Sequence, residues 1–278
     1  MTCLRLLTGI ALLAAAALLA GACGSSDDSE SAPAGTAETT LSGESDVLDR
    51  LPKVPGATQS TRPPESPGGT GGEAFLRDVF DDVQAMWRRE FEAAGARYTP
   101  ATLTIFRDEV DTGCGTESVK SGPFYCPTDH GVYLDTRFFD ALARTAGVEL
   151  GDFAQAYVVA HEVAHHVQLL LGILQRVRGL DQTDPAGANA RSVRLELQAD
   201  CFAGVWKHSR YQRGQLTGSD LADALRAAAV VGSDFQQLKA TGTIRPEDWT
   251  HGSSAQRQHW LTTGFEQGRP AACDTFGR

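Results

Sequence analysis

One segment constrains the fold more than any other part of the chain, the largely apolar stretch at 152–171. Its length and pattern predict a long helix that Asp152 can cap at the N-terminus. The helix is apolar enough to be buried, yet it carries His161, Glu162 and His165 near its middle. The sequence therefore predicts a buried helix that holds three polar side chains in a fixed arrangement.

These three residues form the motif H-E-x-x-H. Residues four apart lie on one helical face, so His161 and His165 can both reach a single metal ion. Glu162 stands beside them, where its carboxylate can contact a metal-bound water and take its proton as the water attacks a carbonyl group. Two surface histidines on an ordinary helix are the alternative. The position in mid-helix and the apolar flanks disfavour that alternative.

Two histidines and a water leave one position of a tetrahedral zinc ion for another protein ligand. The next predicted helix offers Glu196 and Asp200, which are four apart and therefore point the same way. We assign Glu196 as the third zinc ligand and Asp200 as the acceptor for the free N–H of a ligand histidine. The reverse assignment and a surface salt-bridge role are the alternatives. His166 points to another face and is predicted to be an ordinary packed or exposed histidine.

Hydrophobic periodicity over the rest of the chain predicts an α+β domain, mostly helical, with a small sheet. Strands are predicted at 102–106 and 132–134, and the second could be an edge that pairs with an extended substrate or an ordinary sheet strand. Ser253 and Gln256 form a capping-box pattern for a last helix. The predicted helices lie near 75–91, 153–171, 190–208, 219–231 and 254–265.

Residues 1–22 are typical of an export signal, with a positive charge at Arg5 followed by an apolar run. That run is too short for a comfortable membrane span. The small residues before Cys23 resemble a bacterial lipoprotein cleavage site, which implies a diacylglycerol on the Cys23 thiol. Ala20 departs from the pattern, because leucine is usual at that position. Secretion without a lipid and an uncleaved anchor are the alternatives.

Residues 23–72 are rich in Ser, Gly, Pro, Thr and acidic side chains and predict a flexible tether, followed by a folded domain at 73–278. The formal net charge is -10. This charge argues against nucleic acid as a partner, because phosphate contacts need clustered Lys and Arg. The expected partners are a protein or peptide substrate and, through the lipid anchor, a membrane of the cell envelope.

Four cysteines remain in the predicted mature domain, and an even number in an exported protein suggests two disulfides. Of the three possible pairings, Cys114 with Cys126 is the local choice and leaves Cys201 with Cys273. A four-cysteine zinc site is the competing interpretation. It is weak because no C-x-x-C pair is present.

The H-E-x-x-H motif and the block around Glu196, together with several further blocks, resemble the bacterial putative neutral zinc metallopeptidases (YpfJ-like), which are zincins of the gluzincin type. The resemblance covers about residues 74 to 276 and departs at Ala164, where the family more often has glycine. It implies a zincin-like fold, one Zn²⁺ held in a gluzincin-like arrangement, and peptide hydrolysis, but no particular substrate. The blocks that carry it are 114–115, 122–127, 132–135, 151–157, 161–168, 195–201 and 251–254.

The block around Glu196 also resembles that of the integral-membrane prenyl-protein proteases, which carry a histidine in a Thr-His-Pro block far downstream. Here His251 lies at a comparable place, between Thr250 and a glycine. This resemblance implies that His251 stabilises the oxyanion or gates the zinc. A structural loop histidine is the alternative. Arg257 follows and could pair with an active-site carboxylate, a role that the sequence alone does not assign.

The sequence thus predicts a zinc-dependent endopeptidase that is exported and lipid-anchored. Two other functions fit the same residues. One is a non-catalytic lipoprotein that uses the fold as a binding or chaperone module, and the other is a hydrolase of a non-peptide amide such as a cell-wall crosslink. The intact Glu162 argues against the first, because a scaffold does not need that carboxylate.

Overall fold

A computed structural model of the chain describes residues 72–118, 121–147, 151–216 and 218–277. The predicted signal segment, Cys23 and the tether up to residue 71 lie outside the described residues. The helices are α1 (Glu73–Ala93), α2 (Phe138–Ala146), α3 (Asp152–Leu170), α4 (Ile173–Thr183), α5 (Ala188–Gln212), α6 (Gly218–Val230), α7 (Ser233–Thr241) and α8 (Ser254–Gln267). The strands are β1 (Thr102–Phe106), β2 (Glu109–Thr112), β3 (Gly115–Ser118), β4 (Phe124–Cys126) and β5 (Gly131–Asp135). The predicted α+β class with a small sheet is confirmed.

Helix starts differ in how well the sequence predicts them. The capping box of α8 is confirmed, because Ser253 Oγ accepts from the Gln256 N–H while the Gln256 side chain accepts from the Ser253 N–H. The predicted cap at Asp152 is wrong by one residue. The N-cap of α3 is Gly151, and Asp152 lies in the first turn, where its negative charge is favourable to the helix dipole.

The sheet has the order β1-β5-β4, with β5 parallel to β1 and antiparallel to β4. β2 and β3 form a separate hairpin. The expectation that the strand at 132–134 could offer an edge to a substrate is wrong, because β5 is hydrogen-bonded on both sides. The edge strand that contacts α3 is β4.

The two faces of the sheet have different surroundings. Val132 and Leu134 belong to the main hydrophobic core, whereas Tyr133 packs on the opposite face in a small cluster with Phe124. Phe124 pairs with Tyr133 and Tyr125 pairs with Val132. Because side chains alternate along a strand, Tyr125 faces the same side as Val132, which is the side of the main core.

Close backbone packing joins α5 to α8 at Gly204 and Gly264. A Cβ added at Gly264 would lie 1.9 Å from Cys201 O, and one added at Gly204 would lie 2.2 Å from Leu261 O. Only glycine permits such an approach. This contact holds α8, which carries Arg257, directly against the helix that carries Asp200.

Two disulfides tie peripheral segments to this core. Cys114 bonds to Cys126, which joins the turn between β2 and β3 to strand β4. Cys201 bonds to Cys273, which joins α5 to the C-terminal segment. The predicted pairing is therefore the pairing that the structure contains.

α3 and α4 are separated by Gly172, which adopts the left-handed conformation that favours glycine (φ 76°). Among the described residues, no single helix is both long and apolar enough to cross a membrane. α3 and α4 together have the length and composition, but they meet at a bend of 76°. Most of α3 is buried inside the domain.

Candidate metal centre

Three of the predicted site residues come together between α3 and α5. His161 and His165 lie on the same face of α3, with their ring centroids 4.8 Å apart. Glu196 faces them from α5, with Oε2 at 3.1 Å from His161 Nε2 and Oε1 at 3.5 Å from His165 Nε2. In the part of the chain that the structure describes, this is the one His/Cys/Asp/Glu group able to hold a metal ion.

The spacing of these atoms fits zinc. Two ligand atoms at about 2.0–2.1 Å from a tetrahedral zinc would be about 3.4 Å apart. The two distances from Glu196 to the histidines, which are measured to different oxygens of its carboxylate, lie on either side of that value, and the three ligand atoms all lie within 4.8 Å of one another. Two imidazoles and a carboxylate are also a ligand set that zinc takes when it keeps a fourth position open. The donor set and its geometry therefore agree with a catalytic type of zinc site.

The outer nitrogen of His161 is held by Asp200, four residues after Glu196 on α5. His161 Nδ1 is 2.9 Å from Asp200 Oδ1, so Nδ1–H donates and Nε2 faces the Glu196 carboxylate. Burial lowers the pKa of His161, but its bonds to Asp200 and Glu196 outweigh burial and raise that pKa to about 10. The two carboxylates therefore favour a cation at the inner face of the ring, which is where a metal ion would sit.

Asp200 is itself fixed by two further side chains. Arg257 on α8 donates from Nε to Oδ2 at 2.8 Å and from Nη2 to Oδ1 at 2.9 Å, while Tyr157 OH donates to Oδ1 at 2.6 Å. Burial would raise the pKa of Asp200, but the charge of Arg257 and the bond from His161 hold it below the usual value. Asp200 therefore stays ionised and holds the His161 ring in one orientation, with Nδ1–H directed at the carboxylate.

The outer nitrogen of His165 is held by Gln168, one helical turn further along α3. His165 Nδ1 is 2.9 Å from Gln168 Oε1. The Gln168 amide nitrogen donates to Leu195 O at 2.8 Å, so its oxygen must face His165 and accept. Both histidines thus present Nε2 to Glu196, because each Nδ1–H is engaged on the outer side.

The pKa values of Glu162 and Glu196 are shifted in opposite directions. Burial raises the pKa of Glu162 to about 7, against an opposing charge from His161. Burial would raise the pKa of Glu196 as well. The charge of His251 and the hydrogen bond from His161 nevertheless hold it well below its usual value. Glu196 is therefore an anionic ligand, whereas Glu162 can take up and release a proton near neutral pH.

His251 lies on the loop before α8, within electrostatic reach of the site. Burial lowers its pKa, while the charge of Glu196 raises it. His251 Nδ1 is 2.8 Å from Thr250 Oγ1, and its backbone N–H donates to Ser233 Oγ at 3.2 Å. His251 therefore interacts electrostatically with Glu196 and both ligand histidines, and it contacts Thr250 Oγ1 through Nδ1 rather than Nε2.

Three residues of the centre have no role assigned by the sequence. Tyr157 and Gln168 could have been found from helical spacing, since they lie four residues before His161 and three after His165. Arg257 could not, because its contact with Asp200 spans 57 positions and depends on the packing of α8 on α5.

Replacing Asp200→Asn is expected to weaken zinc binding about 10- to 100-fold. The amide is a weaker acceptor for His161 Nδ1–H, and it leaves Arg257 without its counter-charge. Competition with a chromophoric chelator measures the affinity. Asp78→Asn, an exposed change on α1, is the control and should bind zinc like the wild type. An unchanged affinity in the Asp200 variant would contradict this assignment.

Two histidines on α3 and a glutamate on α5, each histidine with its own outer partner, form a centre that could hold a metal ion and that has a zinc-type donor set. A family model described as putative neutral zinc metallopeptidase matches residues 45–276, and the chain belongs to that family. The chain is 47% identical over 205 residues to the uncharacterized protein YpfJ of Escherichia coli (strain K12), covering 73% of this chain and 71% of the relative. It is 46% identical over 206 residues to the uncharacterized protein Rv2575 of Mycobacterium tuberculosis (strain H37Rv), covering 70% and 68%. No solved structure matches the chain.

Proposed function

We propose that the protein is a zinc-dependent endopeptidase. One observation carries the proposal: the buried carboxyl group of Glu162 adjoins a histidine of the His161–His165–Glu196 centre and is not itself one of the three groups that could hold the metal. A purely structural zinc site is closed by four protein ligands and does not require a proton acceptor beside it. The site here offers three ligands and such an acceptor.

The residues of the centre have separate roles in the proposed hydrolysis. His161, His165 and Glu196 would hold zinc, which supplies a Lewis acid for the attacking water and the substrate carbonyl. Glu162 accepts a proton from the attacking water and then donates it to the leaving amine. A pKa near the working pH suits both halves of this transfer, because the carboxylate must accept and release the proton in turn.

His251 is proposed to stabilise the negative charge that develops on the carbonyl oxygen. Its Nδ1 lies 2.8 Å from Thr250 Oγ1. When the threonine hydroxyl donates to Nδ1, the hydrogen of the ring is on Nε2, which can then donate towards the substrate. Burial lowers the pKa of His251, while the charge of Glu196 raises it.

The edge strand β4 is proposed to receive the substrate backbone. It contacts α3, and among the described residues it is paired with a strand on one side only, whereas β5 is bonded on both sides. An extended peptide can add to such an edge through main-chain hydrogen bonds. Main-chain recognition favours protein and peptide substrates over amides that lack a peptide backbone.

The test is hydrolysis of a labelled unfolded protein such as casein by the purified full-length protein at neutral pH. We expect cleavage that a chelator abolishes and that one equivalent of Zn²⁺ restores. His165→Ala should lose both zinc and cleavage. His259→Ala, an exposed histidine on α8, should retain both.

Other outcomes would favour the other functions. Release of products from cell-wall fragments, with no cleavage of proteins, would identify an amide hydrolase. Zinc-loaded protein that hydrolyses neither substrate would contradict the proposal and favour a binding module.

We also propose that the protein is exported and anchored to a membrane through a lipid on Cys23, by the resemblance of residues 19–23 to a lipoprotein cleavage site. Intact-mass measurement of the membrane-extracted protein should show cleavage before Cys23 and the added acyl chains. Cys23→Ala should move the protein out of the membrane fraction. A mature N-terminus at any other residue would contradict the proposal.

A further inference from the structure

His166, directly after the ligand His165, is fully buried, and its ring nitrogens contact Thr99 and Tyr125 rather than residues of the metal centre. Its Nε2 is 2.6 Å from Thr99 O, and a carbonyl oxygen can only accept, so Nε2 carries the hydrogen and donates. Its Nδ1 is 2.8 Å from Tyr125 OH. In the neutral ring Nδ1 then holds a lone pair, so the tyrosine hydroxyl donates to it. One imidazole is thus fixed in a single tautomer by two partners.

Both partners belong to the sheet layer rather than to the helices. Tyr125 lies on the edge strand β4, and Thr99 lies in the segment that leads into β1. The ring of His166 also contacts the rings of Tyr125 and Tyr98 in edge-on geometry, with centroids 5.5 and 5.7 Å apart. His166 therefore joins α3 to strand β4 and to the segment before β1 at one buried point.

The segment around Thr99 is held in place independently. Gln84 on α1 accepts from Tyr98 OH at 3.2 Å and from the Ala101 N–H at 2.7 Å. Thr99 O is therefore a fixed acceptor, and it orients the His166 ring before Tyr125 binds to it. The other partner of His166 is Tyr125, which lies on β4, an edge strand of three residues.

We propose that His166 is a positioning residue that sets where the edge strand β4 lies relative to the zinc ligands on α3. The inference rests on the proposed function, because it takes β4 to be the strand that receives the substrate backbone. One peptide bond separates His166 from the ligand His165. The same helical turn therefore fixes the metal on one side and the substrate-binding edge on the other.

The consequence is a specific kinetic signature. Loss of the bond between His166 and Tyr125 leaves the metal ligands and Glu162 untouched but removes a side-chain bond that positions β4 against α3, while β4 stays paired with β5 and bonded through Cys126. A peptide paired to β4 should then bind more weakly in the ground state and the transition state alike, which raises KM and leaves kcat unchanged. Zinc affinity should also be unchanged, since His165 keeps its own partner, Gln168.

The test compares Tyr125→Phe, His166→Gln and the double variant with the wild type, all as full-length zinc-loaded protein. Each single change should raise KM for an extended peptide about 2- to 10-fold, the range expected for one neutral hydrogen bond. Gln can still donate to Thr99 O, so the helix keeps its contact with the β1 segment. The double variant should resemble either single variant, because both changes remove the same bond.

Tyr133→Phe is the matched control. It also removes a tyrosine hydroxyl bond from the sheet, to Asp129 Oδ2 at 2.8 Å, but on the face away from α3. Its KM should equal that of the wild type. If the wild type cleaves and Tyr125→Phe behaves like Tyr133→Phe, the inference is wrong while the proposed function stands. If zinc-loaded wild type cleaves no peptide, the proposed function itself fails, and the inference fails with it.

Discussion

Glu162→Gln is expected to abolish peptide hydrolysis and to leave the protein folded and zinc-loaded. The amide has the same size as the carboxyl group but cannot take a proton from the attacking water. Loss of a general base typically costs about 10²- to 10⁴-fold in rate. Because Glu162 is not among the zinc ligands, zinc content should not change. Initial rates on a fluorogenic peptide, measured beside the zinc content of the same sample, check both halves of the prediction.

A matched change on the surface separates this effect from a general one. Glu92→Gln removes an exposed carboxylate from the last part of α1 and should leave the rate within experimental error. Residual activity of the Glu162 variant near the wild-type level would mean that another group accepts the proton. Loss of zinc together with activity would mean that Glu162 supports the metal site rather than the reaction.

The central part of the site could be predicted from the sequence because its geometry is local. His161 with His165, and Glu196 with Asp200, are pairs at helical spacing, so the sequence already places each pair on one face. What the sequence could not provide is how the helices meet. Arg257 reaches Asp200 only because two glycines let α8 approach α5 to backbone contact.

The short elements were missed for a related reason. Periodicity identifies a helix by its buried stripe, and α7 buries no residue at all. β4 has only three residues, too few for an alternating pattern. β5 is buried at all five positions. A central strand of this kind shows no alternation, so the sequence could not distinguish centre from edge.

Lys207 is the residue whose burial the catalytic role does not explain. Its side chain on α5 is completely buried, and its ammonium group has no hydrogen-bond partner among the described residues. The Nζ atom lies 5.2 Å from the centre of the Phe153 ring and 5.6 Å from that of Trp206. Burial lowers the pKa of Lys207 from 10.5 to about 7. The charge of Arg210 also lowers it, and the charges of Asp220 and Asp223 oppose the shift.

Lys207→Met is therefore expected to stabilise the protein. One pKa unit corresponds to about 1.4 kcal/mol, so the lowered pKa of Lys207 corresponds to a few kcal/mol, up to about 5. This is the increase in the free energy of unfolding that we expect at a pH where Lys207 is protonated in the folded wild type. Methionine is unbranched, nearly as long as the lysine chain, and adapts to irregular gaps. It should fill the same space without the free-energy cost of desolvating a charge. The attraction between the ammonium group and the two rings, which the variant loses, is smaller than that cost.

The stabilisation by Lys207→Met should decrease as the pH rises. In the unfolded chain Lys207 is protonated up to about pH 10.5, whereas in the folded protein it loses its proton near pH 7. Below pH 7 the ammonium group is charged in both states, so the full free-energy cost of burying that charge opposes folding of the wild type. The penalty shrinks as pH rises from 7 towards 10.5, where the amine is neutral in both states. The stabilisation by Lys207→Met should follow the same course, largest at or below pH 7 and smallest near pH 10.5.

Denaturant unfolding with the disulfides intact, at about pH 6.5, 8.5 and 10, measures this course as a difference in free energy of unfolding. Lys239→Met is the control, because Lys239 also lies over an aromatic ring, Phe235, but is exposed on α7. That surface change should stay within about 0.5 kcal/mol of the wild type at every pH. A Lys207 variant that is less stable than the wild type at pH 6.5 would show that the ammonium group is stabilised inside the fold. The buried lysine would then be a structural element rather than a charge that the fold tolerates.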